Sequence, residues 1–208
     1  MGGVFVRKLV KRVVFCLVLA ASVWCGSLLA DRQRLSEGLI RLHVVANSDS
    51  EADQSVKLQV RDAVIASIQE DLSRISDVEE AKAYLQANLP RIQAAADSAL
   101  EKAGFDCGAV VTLCEEAFDT RYYDTFTLPA GVYEALRVII GTGEGHNWWC
   151  VAFPSLCLSA TSEGFSSTAA GAGFPESLTG ALAGETEYEL RFFLLDALGE
   201  LENFLFAG

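Results

Sequence analysis

The chain has 208 residues, of which 51% are hydrophobic, with 16 basic and 28 acidic side chains and a net charge of −12. Because four of the basic residues and none of the acidic residues lie in the first thirty positions, residues 31–208 carry 12 basic against 28 acidic side chains. Such a surface repels phosphate backbones and anionic lipid headgroups, which argues against nucleic-acid binding. The acidity itself favours solubility.

The first thirty residues have the composition of an export signal. Four basic residues lie between Arg7 and Arg12, and the following 18 residues, 13–30, carry no charge. This pattern is typical of a cleaved secretory signal peptide or of an uncleaved transmembrane anchor, and the two alternatives stay open. In both cases the basic end remains in the cytoplasm and residues 31–208 are exported. The chain is therefore expected to be secreted or anchored to a membrane.

The next part of the chain predicts a strand followed by two helices. Residues 39–46 form an apolar, β-branched run, and Ser50 with Asp53 resembles a capping box that begins a helix. Apolar residues then recur every four positions, as on one face of a helix that ends near residue 75. A second helix is predicted to begin at Ser76, to kink or restart at Pro90, and to end at Gly104. The stripe of the first helix comprises Val56, Val60, Val64 and Ile68.

The second half predicts strands and a last helix. Strands are expected at 109–114, 121–127, 131–140 and 148–153, with the last paired to 131–140 across a glycine turn. Residues 159–186, rich in Ser, Thr, Ala and Gly, predict a flexible linker. An amphipathic helix is predicted at 187–206. We expect an α+β fold: a two-layer domain with a mostly antiparallel sheet, between the N-terminal segment and the C-terminal helix. The apolar side of the last helix comprises Leu190, Phe193, Leu194, Ala197, Leu201, Phe204 and Leu205.

The exported part contains four cysteines. Cys150 and Cys157 bracket Pro154, and we predict that they form a disulfide, since export permits one. The eight-residue ring would stabilise the fold by about 2.5 kcal/mol. Cys107 and Cys114 are seven apart on a strand candidate and so face opposite sides, which disfavours a bond between them. The alternative of a zinc site lacks closely spaced ligand pairs, and no metal or cofactor is expected.

No catalytic set stands out in the sequence. His43 lies in mid-strand and His146 in the glycine turn, and no nucleophile elbow accompanies them. The oxygen-rich stretch 47–53 lacks the glycine and glutamate of a calcium loop, so a strand-to-helix turn is the better interpretation. Trp148 and Trp149 are adjacent on a strand, so one side chain is expected in the core and the other exposed as an anchor for a partner.

Two segments together resemble the stage II sporulation protein R family of endospore-forming bacteria. Residues 40–64 read IRLHVVANSDSEADQSVKLQVRDAV, and residues 143–157 read GEGHNWWCVAFPSLC. The likeness implies that residues 35–158 form a sporulation signal domain, exported from the forespore into the intermembrane space. It also implies a partner, the membrane-embedded aspartic protease stage II sporulation protein GA, which then processes a pro-sigma factor. The chain would be the signal and not an enzyme.

Two hypotheses for the function follow. The first is a non-catalytic ligand that shifts the protease towards its active state. Its contact candidates are Asn47, Asp49, Asn147, Trp148 and Trp149, with Cys150–Cys157 as a structural clasp. The second is an exported cell-wall or peptide hydrolase that uses His43 with nearby acids.

Overall fold

The N-terminal apolar segment is one long helix that continues into the folded domain. The structure, a computed structural model, describes residues 2–154 and 162–207. Helix α1 spans Gly2–Gly38, and its 7–38 portion is long and apolar enough to cross a membrane. Its side chains are exposed from residue 7 to residue 26, and one face of the helix is buried from Leu28 onward. The helix therefore continues past the export segment predicted at 1–30 and carries about two turns into the domain.

Four strands form one mixed sheet. They are β1 (Ile40–Val45), β2 (Ala109–Phe118), β5 (Gly131–Ile140) and β6 (Asn147–Phe153), in the order β2-β5-β1-β6. Strand β1 is parallel to β5 and antiparallel to β6, and β2 is antiparallel to β5. Two further strands, β3 (Arg121–Tyr122) and β4 (Thr127–Leu128), make a separate short hairpin. The α+β class and the predominantly antiparallel pairing are confirmed.

The predicted hairpin between β5 and β6 is wrong, because β1 lies between these strands. All six residues of β1 are buried, as is usual for a strand with neighbours on both sides and layers on both faces. The mainly apolar, β-branched run at 39–46 was the signal for a central strand, and a glycine turn does not require that its flanking strands pair.

One face of the sheet is covered by α2 (Glu51–Leu72) and α3 (Val78–Lys102). The Ser50 side chain caps α2 by accepting from the Asp53 backbone N–H at 3.1 Å, as predicted. Helix α3 is capped by Asp77, one residue after the predicted start, and runs through Pro90 as a single element. The stripe predicted on α2 is buried against the sheet. This first core includes Leu42, Val44, Val56, Val60, Val64, Ile68, Leu85, Ile92, Leu136 and Val138.

The other face carries a second core that the sequence did not predict. The described part of the expected linker 159–186 is mostly helical, with α4 (Ser162–Gly171), α5 (Glu176–Leu182) and a 3-10 turn (Thr186–Tyr188), and the prediction of a flexible linker is wrong there. The reason is apolar spacing inside a Gly- and Ala-rich stretch, which places large side chains inward. The second core includes Leu28, Leu35, Leu39, Phe118, Tyr133, Phe165, Phe174, Leu178 and Leu195. Helix α6 (Glu189–Ala207) completes this side and confirms the predicted last helix.

A pair of leucines in α1 tests whether the helix is built into the domain. Leu35 is fully buried, whereas Leu29 is 60% exposed. Leu35→Ala removes core contacts and should lower the free energy of unfolding by about 2–5 kcal/mol, while Leu29→Ala should change it little. Urea unfolding of the full chain in detergent micelles, followed by circular dichroism, measures both. Equal stabilities of the two variants would contradict the docking of this segment.

Candidate functional site

Two loops meet at one end of the sheet. We call this the loop junction; it comprises residues 46–50, which follow β1, and residues 141–146, which connect β5 to β6. The Thr142 backbone N–H donates to the Asn47 side-chain oxygen at 3.0 Å, and the Gly145 N–H donates to the Ala46 carbonyl at 2.9 Å. The His146 N–H donates to the Asp49 carboxylate at 2.6 Å. The two segments that resemble the sporulation family are therefore joined directly in space.

The glycines of the turn are needed for this close approach. Gly141 and Gly143 have φ values of +56° and +68°, a region that L side chains rarely adopt. A Cβ on Gly145 would lie 2.3 Å from the carbonyl oxygen of Ser48, which is part of the opposing backbone. The glycines of the turn therefore allow the backbones of the two loops to lie in direct contact.

Two buried side chains of α2, the Asp53 carboxylate and the Lys57 amine, hydrogen-bond to the loop junction. The Asp53 carboxylate accepts from Ser48 Oγ and, at 3.1 Å, from Asn47 Nδ2; these bonds lower the pKa of Asp53. Lys57 Nζ donates to the His146 carbonyl at 3.0 Å, and burial lowers the pKa of Lys57. The Asp49 pKa is lowered by the hydrogen bond from the His146 backbone N–H. Because Asp49, Asp53 and Lys57 all have hydrogen-bond partners within the protein, these groups stabilise the contact between the two loops.

The tryptophans that follow the junction point to opposite faces, as predicted. Trp148 packs on the first core with the Arg61 guanidinium 4.8 Å from its ring centre. Trp149 is stacked on His43, with ring centres 5.6 Å apart, and the Arg121 guanidinium covers it at 3.5 Å. Both side chains are half-buried, so neither is a freely exposed anchor. Trp149 is held rigidly between an imidazole and a cation.

An open pocket of about 410 Å³ lies where β6 approaches the short hairpin of β3 and β4. Its most exposed side chain is Tyr122, which is 80% exposed, and Asn147 is also exposed. Aromatic rings, one guanidinium and an amide give it the composition of a protein-recognition surface. We call this the aromatic pocket; its lining comprises Thr120, Arg121, Tyr122, Tyr123, Asn147, Trp148 and Trp149.

Polar groups beneath the aromatic pocket fix its floor. His43 Nδ1 lies 2.9 Å from the Glu116 carboxylate, and His43 is only 5% exposed, as a histidine with a satisfied nitrogen would be. Arg41 is fully buried, lies 4.3 Å from the centre of the Phe118 ring, and donates to Tyr123 Oη at 3.1 Å. The segment between β3 and β4 is therefore tied to the central strand through Tyr123.

The predicted contact residues divide into two groups. Asn147, Trp148 and Trp149 line the aromatic pocket together, whereas Asn47 and Asp49 lie in the loop junction and support it. Arg121 and Tyr122 also line the pocket but were not predicted as contact residues from the sequence. The signal available was the aromatic run 121–126, read only as a strand.

The cysteines agree with the predictions where they are described. Cys107 and Cys114 are free and do not bond to each other. Cys150 is disulfide-bonded, while its predicted partner Cys157 lies outside the described residues. The Cys150–Cys157 pairing stays a prediction. Among the described residues, no group of three or more His, Cys, Asp or Glu side chains is placed to hold a metal ion.

Fold and site together define an α+β domain that is joined to an apolar N-terminal helix and carries an aromatic pocket. The chain belongs to the stage II sporulation protein R family, whose model matches residues 36–163. It is 42% identical over 125 residues to stage II sporulation protein R of Bacillus subtilis (strain 168), which covers 60% of this chain and 56% of that relative. No solved structure matches the chain. The family has a role in sporulation.

Substitution of Gly145 tests the contact between the two loops. In Gly145→Ala the new Cβ meets the Ser48 backbone, so we expect destabilisation by about 1–3 kcal/mol, a decrease in Tm of roughly 2–10 °C. Gly171→Ala, where a Cβ would have no atom within 4 Å, is the matched control and should not lower Tm. Differential scanning calorimetry compares them. A Tm for Gly145→Ala equal to that of the control would contradict the geometry of the junction.

The pH dependence of stability tests the Asp53 carboxylate. Its folded pKa lies below the unfolded value of about 4, so its contribution is complete above that value and is lost as pH falls through the folded pKa. We therefore expect Asp53→Asn to be less stable than the parent at pH 7, with the difference shrinking below about pH 4. Urea unfolding at a series of pH values measures this, with the exposed Asp62→Asn as a charge-matched control. A stability difference that does not change with pH would contradict the assignment.

Proposed function

We propose that this chain is an exported signal that binds and activates a membrane-embedded aspartic protease, stage II sporulation protein GA, which then processes a pro-sigma factor. The observation that carries the proposal is the aromatic pocket, with Tyr122 exposed and Trp149 held rigidly beneath it. Family membership supports the sporulation role, and the protease is the partner that the family resemblance implies.

The composition of the pocket suits a binding hot spot. Tyrosine, tryptophan and arginine are the residues that most often dominate the free energy of protein–protein binding. Trp149 is stacked on the buried His43 and covered by Arg121, so this pair has little conformational entropy left to lose on binding. The exposed Tyr122 would supply new contact area, and Trp149 with Arg121 would form the preorganised base that receives a partner side chain.

Activation by such a ligand requires a difference in affinity. A ligand shifts an equilibrium only by as much as it binds the active state more tightly than the inactive one. Moving the protease from 1% to 99% active would require a difference of about 5.5 kcal/mol. Two or three hot-spot side chains that contact the partner only in its active state would supply a difference of that size.

The orientation of the chain agrees with a signal that is delivered across a membrane. The basic cluster at residues 7–12 precedes the apolar part of α1, and basic residues stay on the cytoplasmic side. The domain at the other end of α1 would then reach the space between forespore and mother cell. Its strongly acidic composition would keep it away from anionic headgroups, which leaves the pocket available to a protein partner.

One observation bears on the alternative hydrolase. The His43–Glu116 pair is the kind of base-and-orienter arrangement that a hydrolase uses. However, His43 is wedged between the Phe118 and Trp149 rings, and its Nε2 atom is buried without a hydrogen-bond partner among the described residues. A general base must reach the proton that it removes, so this environment favours a structural role for His43.

The signalling proposal is tested by Tyr122→Ala in a reconstituted reaction. Membranes carrying the protease and its pro-sigma substrate receive the chain, and cleavage of the substrate is measured. Loss of a hot-spot side chain worth about 2 kcal/mol should raise the concentration needed for half-maximal cleavage roughly 30-fold. Leu58→Ala, on α2 outside the pocket lining and 40% exposed, is the matched control and should activate like the parent chain.

Two outcomes would contradict the proposal. Full activation by a folded Tyr122→Ala variant would remove the pocket as the contact. Hydrolysis of cell-wall or peptide substrate by the purified chain, abolished by His43→Gln while Tyr122→Ala leaves it intact, would instead establish the hydrolase.

A further inference from the structure

Helix α6 turns three of its five charged residues towards the protein and leaves several large apolar side chains exposed, although Leu195 is buried in the second core. Three of its charged residues make bonds inward: Arg191 to Asp31 of α1, Glu202 to Arg32 of α1, and Asp196 to the Ala130 backbone N–H at 2.8 Å. A helix on a water-facing surface shows the opposite arrangement, with charges outward and apolar residues in the core.

The outward side is a continuous apolar stripe, which we call the α6 stripe. It extends from Leu190 to Leu205 and includes Phe193 at 65% and Phe204 at 75% exposure. Glu200, one turn before Phe204, is exposed at the edge of this stripe. An apolar patch of this length rarely remains in water on a soluble domain. The stripe comprises Leu190, Phe193, Ala197, Leu201, Phe204 and Leu205.

The position of α6 is fixed firmly enough to give the stripe a definite direction. A Cβ on Gly199 would lie 1.7 Å from the Ala130 carbonyl oxygen, so the helix backbone rests directly on the turn that precedes β5. Asp31, which receives Arg191, is only 1% exposed, and a buried ion pair resists separation because breaking it strands a charge. The apolar side therefore cannot simply rotate inward.

Helix α6 crosses α1 where the exposed apolar part of α1 ends. The Arg191 guanidinium is 2.8 Å from Asp31 through Nε and 3.5 Å from Ser27 Oγ, one position after the exposed stretch ends at residue 26. Neighbouring residues of α1, Asp31 and Arg32, bind residues of α6 that are eleven positions apart, about 16 Å along the helix. Helix α6 therefore runs across α1 and not along it.

These placements point to a lipid surface as the occupant. We propose that α6 lies in the interface of the membrane that α1 crosses, with the α6 stripe inserted among the acyl chains; this rests on the part of the proposed function in which α1 stays in the membrane. Because α6 contacts α1 just after the exposed apolar stretch of α1 ends, α6 would lie at the level of the headgroups when α1 crosses the membrane. Helices with a strong polar face and an opposite apolar face bind in that position.

The charges indicate how this binding works. Helix α6 has four acidic residues and one basic residue, and the exported part of the chain is strongly acidic. Attraction to anionic headgroups is therefore excluded as the driving force, and burial of apolar side chains is what remains. The association should therefore form with zwitterionic lipid and be insensitive to salt there.

The test is spin labelling of the full chain in phosphatidylcholine vesicles. The four free cysteines, Cys16, Cys25, Cys107 and Cys114, are replaced by alanine, and a nitroxide is attached at Phe193→Cys or Phe204→Cys. Leu58→Cys, on the opposite side of the domain, is the matched control. Collision rates with oxygen, which partitions into lipid, and with a water-soluble nickel chelate are measured. We expect the collision rate with oxygen to exceed that with the chelate at positions 193 and 204, and the reverse at position 58. The ratio of the two rates should not change at any position in 0.5 M salt (about a 4 Å Debye length).

Two results would overturn the inference. A chelate-dominated ratio at 193 and 204, like that at 58, would place the stripe in water. Low collision rates with both reagents, together with spin–spin broadening that disappears on dilution with unlabelled chain, would identify a second copy of the chain as the occupant. The vesicles contain no protease, so neither result depends on whether the chain activates one.

Discussion

The contact between the loop after β1 and the turn before β6 is the constraint on which the site depends. Strand β1 runs parallel to β5 and is flanked on its other side by β6, so the chain must cross over the end of β1 to connect its two neighbours. Gly145 makes the crossing close enough for backbone contact, and Asn47 and Asp49 convert that contact into hydrogen bonds. Three residues after the loop junction, Trp149 is paired with His43 in the sheet, and the two rings are stacked. The two segments that resemble the family, residues 40–64 and 143–157, are far apart in sequence, but each supplies one half of the loop junction.

Part of this arrangement could be predicted from the sequence, and the reasons are local. The four-residue spacing of Val56, Val60 and Val64 has only one compact solution, a helix on an apolar layer, and Ser50 gives its start. The opposite orientation of Trp148 and Trp149 follows from strand geometry alone. Each of these features depends on neighbouring residues, so a single sequence is sufficient to specify it.

The remaining features depend on contacts distant in sequence. The insertion of β1 between β5 and β6 is a choice among sheet orders that no turn residue determines. The burial of Phe165 and Phe174 in the expected linker depends on the second core, which exists only once α1 and the sheet are in place. Arg121 became part of the site because it covers Trp149, 28 positions later in the chain. For the same reason the outward direction of the α6 stripe could not be predicted. The amphipathic pattern predicts that α6 has an apolar face, but the ion pairs with α1 determine the direction in which that face points.

A domain fixed to its own membrane helix and resting on the bilayer through α6 would present the aromatic pocket in a set orientation, which suits recognition of a membrane-embedded partner. The most direct test of the central claim is photocrosslinking from position 122. A benzoylphenylalanine replaces Tyr122 in the full chain, and the irradiated product with membranes carrying the aspartic protease is analysed by mass spectrometry. The account predicts a crosslink to the protease from position 122 and none from the same group placed at position 58. A crosslink from position 58 but not from position 122 would contradict it.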